Sequence, residues 1–168
     1  KNSQGVFAVC KMKEKSINLQ SGKKYIALDN LQDPGNLGTV IRTSEALGID
    51  GVIVGGGCDV YNPKVLRASM GSVLRADVYE SDNLVKTINE AKALGIKTYA
   101  TSPDFNAKKI TQVDFSFPSL CVIGNEANGV SDEVFAVCDE KITIPMLGRA
   151  ESLNANVAAA ITMWEMLR

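Results

Sequence analysis

Short apolar, β-branched runs alternate with helical stretches along most of the chain. This alternation limits the fold more than any other feature, because it is the pattern of a parallel sheet flanked by helices. Strands are expected at residues 25–28, 51–54, 76–79, 97–101, 120–123 and 141–144. Helices fit residues 37–47, 63–70, 83–94, 132–137 and 154–167. Gly48, Gly71 and Gly95 fall where helix C-caps belong. Ser131, followed by Asp132 and Glu133, suits the start of the short fourth helix. With 168 residues, 45% of them hydrophobic, the chain fits one domain with a real core.

Several classes of chemistry are excluded early. The chain has no histidine, which removes imidazole proton shuttling, Ser-His-Asp and Cys-His catalysis, and most zinc enzymes. Cys10, Cys58, Cys121 and Cys138 show no C-x-x-C spacing and read as reduced thiols of a cytoplasmic protein. No apolar run is long enough to span a bilayer, and the start KNSQGVFAVCKMKEK has no signal-peptide core. The formal charge of -1 rules out a globally basic molecule but leaves room for a basic face. Residues 1–22 are the least patterned, and their Lys1, Lys11, Lys13 and Lys15 read as a solvated segment.

Nucleotide-site motifs are missing. Gly35-Asn36-Leu37-Gly38 is one step short of G-x-G-x-x-G, and no G-x-x-x-x-G-K-[ST] occurs. Three stretches remain, each at the C-terminal end of an expected strand: DPGNLGTVIR, IGNEANGVS and IPMLGRAESLNANVAAAI. Each alone reads as a tight connection, because Gly, Asn and Pro are ordinary turn residues. Together they hold Asn36, Arg42, Asn125, Glu126, Asn128, Arg149, Glu151, Ser152, Asn154 and Asn156, more amide and charge than connectors need. Ligands of open parallel sheets bind at the carboxyl ends of strands, so one composite site is expected. The loop before residue 37 is expected to turn backbone N–H groups toward an anion at a helix N-terminus, with Asn36 as its N-cap.

The same stretches, extended as DNLQDPGNLGTVIRTSEALG and VIGNEANGVS, resemble in order and spacing the three motifs of the SpoU (TrmH-like) RNA 2'-O-ribose methyltransferases of the SPOUT superfamily. NPKVLRASMGSVLRADV resembles the segment between that family's first two motifs, and the likeness runs from Tyr25 to Arg168. It implies a parallel α/β sheet with helices on both faces and a C-terminal deep trefoil knot, an arrangement too rare for composition to suggest. It also implies S-adenosylmethionine as methyl donor, an RNA ribose as acceptor and a homodimer with its active site near the interface. SQGVFAVC is similar to the segment that joins an N-terminal RNA-binding domain to the catalytic domain in many members. Residues 1–22 are therefore expected to be a linker from such a domain, and 23–168 the catalytic domain.

By motif, the resemblance assigns catalysis to Arg42 and Asn36, with Glu126, Ser152 and Asn154 in support. Gly124 is expected to let backbone approach the cofactor, since a Cβ there would block it. Asn125, Ile144, Met146 and Leu153 are expected to line the cofactor pocket, with Thr101 and Ser102 as a further wall. Outside the family match, Ile144, Met146 and Leu153 read as plain core. Lys64, Arg67, Arg75 and Arg149 are the candidate RNA contacts. Arg42 matches the family's catalytic arginine, but a guanidinium is a poor base, so phosphate anchoring and alkoxide stabilisation suit it better. Glu126 is expected to orient Arg42 or Arg149. No cluster asks for a metal. The stripe Val157, Ile161, Trp164 and Leu167 of the last helix reads as core, while its alanines permit the close approach of a dimer seam. With aromatics at 6% and none among these charges, the domain is not expected to read sequence alone. The acceptor is expected to be rRNA in preference to tRNA. The alternative is an inactive RNA-binding module of the same fold.

Overall fold

The computed structural model describes Gly5, Val9, Lys11 and residues 17–168. The expected linker over residues 1–22 lies for the most part outside the described residues. In chain order the elements are β1 (Lys24–Asp29), α1 (Pro34–Leu47), β2 (Gly51–Gly55), α2 (Pro63–Ala68), β3 (Val78–Glu80), α3 (Leu84–Ala93), β4 (Lys97–Thr101), β5 (Lys108–Lys109), β6 (Ser119–Ile123), α4 (Asp132–Val137), β7 (Glu140–Thr143) and α5 (Ala155–Leu167). Short 3₁₀ turns at Ser72–Leu74 and Ile110–Gln112 complete the set.

The strands form one seven-stranded sheet in the order β3-β2-β1-β6-β4-β7-β5. All its pairings are parallel, with Tyr25 opposite Gly51 on one side and Leu120 on the other. Parallel strands are buried on both faces, which is why YIAL and LCVI are unbroken apolar runs. Successive residues still separate into two layers. Ile26, Leu28, Cys121 and Ile123 pack with Leu37, Ile41, Val65, Ala159 and Met163 of α1, α2 and α5. Tyr25, Ala27, Leu120 and Val122 pack with Leu84, Ile88 and Val134 of α3 and α4. Helices thus cover both faces, as expected. Among the described residues no helix is long and apolar enough to cross a membrane.

Local chemistry corrects three expectations. α1 begins at Pro34, three residues earlier than expected, and its N-cap is Asp33, whose carboxylate accepts from Asn36 N–H. Asn36 is therefore inside the helix, with its own side chain free for other use. The helix ends at Gly48, where φ is 80° and a side chain would be strained. In α5 the buried residues are Ala155, Ala159, Thr162, Met163 and Met166. Val157, Trp164 and Leu167 are exposed and Ile161 is half-buried, so most of the stripe expected to be core faces outward. The two-residue edge strand β5 was not expected at all, because Lys108 and Lys109 carry no apolar signal.

Candidate active site

Parallel strands put the turns after β1, β4, β6 and β7 on one edge, and neighbouring positions bring them together. The turn after β6 closes on itself: Asn125 and Gly129 exchange two backbone hydrogen bonds of 2.9 Å. The Asn125 side chain accepts from the N–H groups of Ala127 and Asn128 and donates to the Asn30 carbonyl at 2.8 Å, joining this turn to the one after β1. Ser131 N–H reinforces the joint by donating to Asp29 Oδ2 at 2.7 Å.

Glu126 is the centre of the junction. Its Oε1 accepts from Asp33 N–H at 3.1 Å and Asn36 Nδ2 at 2.9 Å, and its Oε2 accepts from Gln32 N–H at 3.1 Å. Asn36 Oδ1 in turn accepts from Asn156 Nδ2 at 3.0 Å, which ties in α5. Burial pushes the Glu126 pKa up, but the Asn36 amide and the backbone N–H groups of Gln32 and Asp33 outweigh it, leaving the carboxyl below its usual range. The anions at this helix N-terminus are therefore the protein's own: Asp33 caps the Asn36 N–H, and Glu126 takes the N–H groups of Gln32 and Asp33 just ahead of it. This corrects the reading in which those N–H groups greet an external phosphate, and it replaces the expected pairing of Glu126 with an arginine.

A cavity of ≈ 680 Å³ opens beside the junction. Thr101, Ser102, Gly124, Asn125, Ile144, Met146 and Leu153 all line it, so the residues expected to hold a cofactor share one space. Glu126, Ser152 and Arg149 line it too. At Gly124, which lines the cavity, a Cβ would lie 2.1 Å from the Gly129 carbonyl carbon and 2.2 Å from Val130 N. The turn itself, packed against its own backbone, excludes a side chain. Asn154 stands outside the cavity as the N-cap of α5, accepting from Asn156 N–H at 2.9 Å.

The remaining candidates are dispersed. Arg42 is exposed on α1, does not line the cavity and has no side-chain partner among the described residues. Lys64 and Arg67 are exposed on α2. Arg75 is bonded to Glu45 at 2.9 Å, which stitches the turn after α2 to α1. Sequence reasoning missed Phe105, Val130 and Phe135 in the cavity wall. Phe135 reads as an ordinary helix residue, and Phe105 is alone in a polar turn with no periodicity to flag it.

The model of the SpoU rRNA Methylase family matches residues 23–164. The 23S rRNA (guanosine(2553)-2'-O)-methyltransferase RlmP of Bacillus subtilis (strain 168) is 38% identical over 97% of the chain and 64% of its own length. The SpoU methyltransferase AviRb of Streptomyces viridochromogenes, solved with the cofactor AdoMet, superposes with a TM-score of 0.79 at 35% identity, over 89% of this chain and 61% of that one. An AdoMet-bound rRNA methyltransferase of Sinorhizobium meliloti gives a TM-score of 0.81 at 35% identity, over 89% and 57%. The chain thus spans between 57% and 64% of the length of these relatives. The family model covers nearly the whole described fold, and the loops that build the cavity lie within it: the chain belongs to the SpoU rRNA Methylase family.

Proposed function

We propose that this chain transfers a methyl group from S-adenosylmethionine to a ribose 2'-hydroxyl of RNA, with ribosomal RNA as the acceptor. The observation that carries the reading is the single cavity in which the turns after β4, β6 and β7 meet. Its size lies within the ~300–1,000 Å³ of ligand pockets. Its walls suit a nucleoside donor: apolar at Ile123, Val130, Ile144, Met146 and Leu153, with hydroxyls at Thr101 and Ser102. The rRNA methyltransferase of Bacillus subtilis supports the acceptor class.

When bound, the donor supplies a methyl group already activated on a sulfonium sulfur, so the protein's task is orientation and exclusion of water. Ile144, Met146 and Leu153 hold the donor's apolar surface. Glu126 fixes Asn36, which through its bond to Asn156 holds α1 and α5 beside the site as a positioning residue, and Ser152 in the cavity wall orients the acceptor ribose. Arg42 holds the neighbouring phosphate with its planar fork and stabilises charge as it develops on the 2'-oxygen. A guanidinium keeps its proton in a protein, so the hydroxyl proton leaves by another route. Arg149, Lys64 and Arg67 contribute positive charge to the RNA face.

The proposal extends to a homodimer seated on the exposed α5 stripe of Val157, Trp164 and Leu167. α1 packs beside α5, so a second copy there lies next to the helix that carries Arg42. It also includes a C-terminal deep trefoil knot and a cytoplasmic setting. Calorimetry with S-adenosylmethionine, then transfer of tritiated methyl to 23S rRNA with mapping of alkali-resistant linkages, tests the function. A folded sample that neither binds the donor nor labels RNA rejects it. RNA binding and donor binding without transfer would identify an inactive module.

A further inference from the structure

The turn after β4 carries an aromatic ring that the proposed chemistry leaves unused. Phe105 lines the cavity and yet is 87% exposed. The turn is built to hold it there. Ala107 N–H donates to the Asp104 carbonyl at 3.1 Å, Asn106 N–H to Asp104 Oδ1 at 2.9 Å, and Asp104 N–H to Ser102 Oγ at 3.2 Å. These bonds fix Asp104 to Ala107 as a tight turn, with Phe105 at its second position. A lone exposed apolar side chain is ordinary on a protein surface; what sets Phe105 apart is that it is exposed on the wall of the cavity, where a visitor meets it.

Its surroundings say what kind of visitor. β5 begins at Lys108, which bonds to Glu140 at 3.4 Å. Lys109 follows, exposed and with no side-chain partner among the described residues. It lies opposite Thr143 in the sheet, one residue before Ile144 enters the cavity wall. Arg149 belongs to the same wall. An open ring on the wall of a cavity that also carries Arg149, with Lys109 four residues along the chain, offers the chemistry that grips a nucleobase and its flanking phosphates. The cofactor-sized space lies against the buried Ile123 and Gly124, whereas a ring this open to solvent meets what arrives from solution.

Resting on the reading above, we propose that Phe105 is a stacking platform for a base of the acceptor RNA at the mouth of the cavity, with Lys109 and Arg149 neutralising the adjoining phosphates. Such stacking tolerates any base, so it positions the strand without reading sequence.

The test uses a fluorescein-labelled single-stranded RNA 15-mer for affinity, 23S rRNA for kinetics and calorimetry for S-adenosylmethionine. Phe105→Ala should raise both the Kd for the oligomer and the KM for rRNA about tenfold, with donor affinity unchanged. Phe105→Trp should restore both and Phe105→Leu should not, because a plane is needed and not bulk alone. Phe117→Ala removes another exposed ring, at the opposite edge of the sheet ahead of β6, and should change nothing. Lys109→Ala should flatten the dependence of log Kd on log salt by roughly 0.7. Wild-type RNA affinity in Phe105→Ala overturns the proposal and spares the methyltransferase reading. So does a loss confined to donor affinity, which would make the ring a cofactor cover. A wild-type chain that binds no donor and transfers no methyl rejects the methyltransferase reading itself.

Discussion

Replacing Glu126 by alanine removes one acceptor from three donors: Gln32 N–H, Asp33 N–H and the Asn36 amide. Gln32 and Asp33 are exposed, so water substitutes there at little cost. Asn36 is only 7% exposed, and its amide is left short of a partner. A buried donor left unsatisfied costs about 1–3 kcal/mol, so a loss of ~2 kcal/mol is expected, dominated by Asn36. For a chain of this size that lowers Tm by roughly 4–8 °C. Glu126→Gln separates charge from shape. One oxygen remains for Asp33 and Asn36, but an NH₂ in place of Oε2 would meet Gln32 N–H donor to donor, so about half the loss is expected. The pH dependence has a definite sign. The folded-state pKa of Glu126 is held below its ordinary 4.5, so the stabilisation is complete above that value and fades as pH falls through the lower, folded one. Thermal melts of wild type and Glu126→Gln should be well separated at pH 7 and converge below pH 4.5. Equal melting temperatures at pH 7, or a gap that widens on acidification, would refute the view of Glu126 as the clasp between the β1 and β6 turns.

Arg42→Lys keeps the charge and loses the fork; RNA affinity should hold while methyl transfer falls about 10²- to 10³-fold, and wild-type turnover would remove Arg42 from the mechanism. Gly124→Ala drives a Cβ into the Gly129 and Val130 backbone, so calorimetry should find donor binding abolished and melts a loss of ~3 kcal/mol; intact binding would contradict the clash. Trp164→Glu puts a charge on the exposed α5 stripe and should yield a folded monomer in analytical ultracentrifugation, whereas an unchanged dimer would move the interface elsewhere.

What could be read from the chain depended on how far each element obeys a local rule. The central strands were legible because a parallel sheet buries both faces and leaves unbroken apolar runs such as YIAL. β5 was not, since its two exposed lysines are held only by pairing with β7. The start of α1 was misjudged because Asn36 and Asp33 are both good caps, and Pro34 decides between them only when taken as the first helical residue. In α5, apolar and small residues surround the helix, so periodicity could not say which stripe meets the sheet. The residues expected to hold a cofactor came from motifs, and their gathering into one space is a consequence of strand order. The isolated Phe105 obeys no period, and its role rests on a turn whose geometry depends on Asp104 and Ser102 side chains.

Strand order also explains why the site forms where it does. From β1 the chain moves outward through β2 to β3, then returns to lay β4 on the far side, two places from β1. β6 enters the gap between them, and β7 is added beyond β4. The turns that leave β1 and β4 therefore diverge in opposite directions, and such a reversal opens a crevice at the carboxyl ends of the strands. The turn after β6 is inserted into that crevice, between the turns that leave β1 and β4. Asn125 and Glu126 bind it to the β1 side, and the cavity opens on the β4 and β7 side. This division of labour accounts for the otherwise odd clustering of amides in that turn. One flank of it is structural and saturated with internal hydrogen bonds, and the other is left for a ligand.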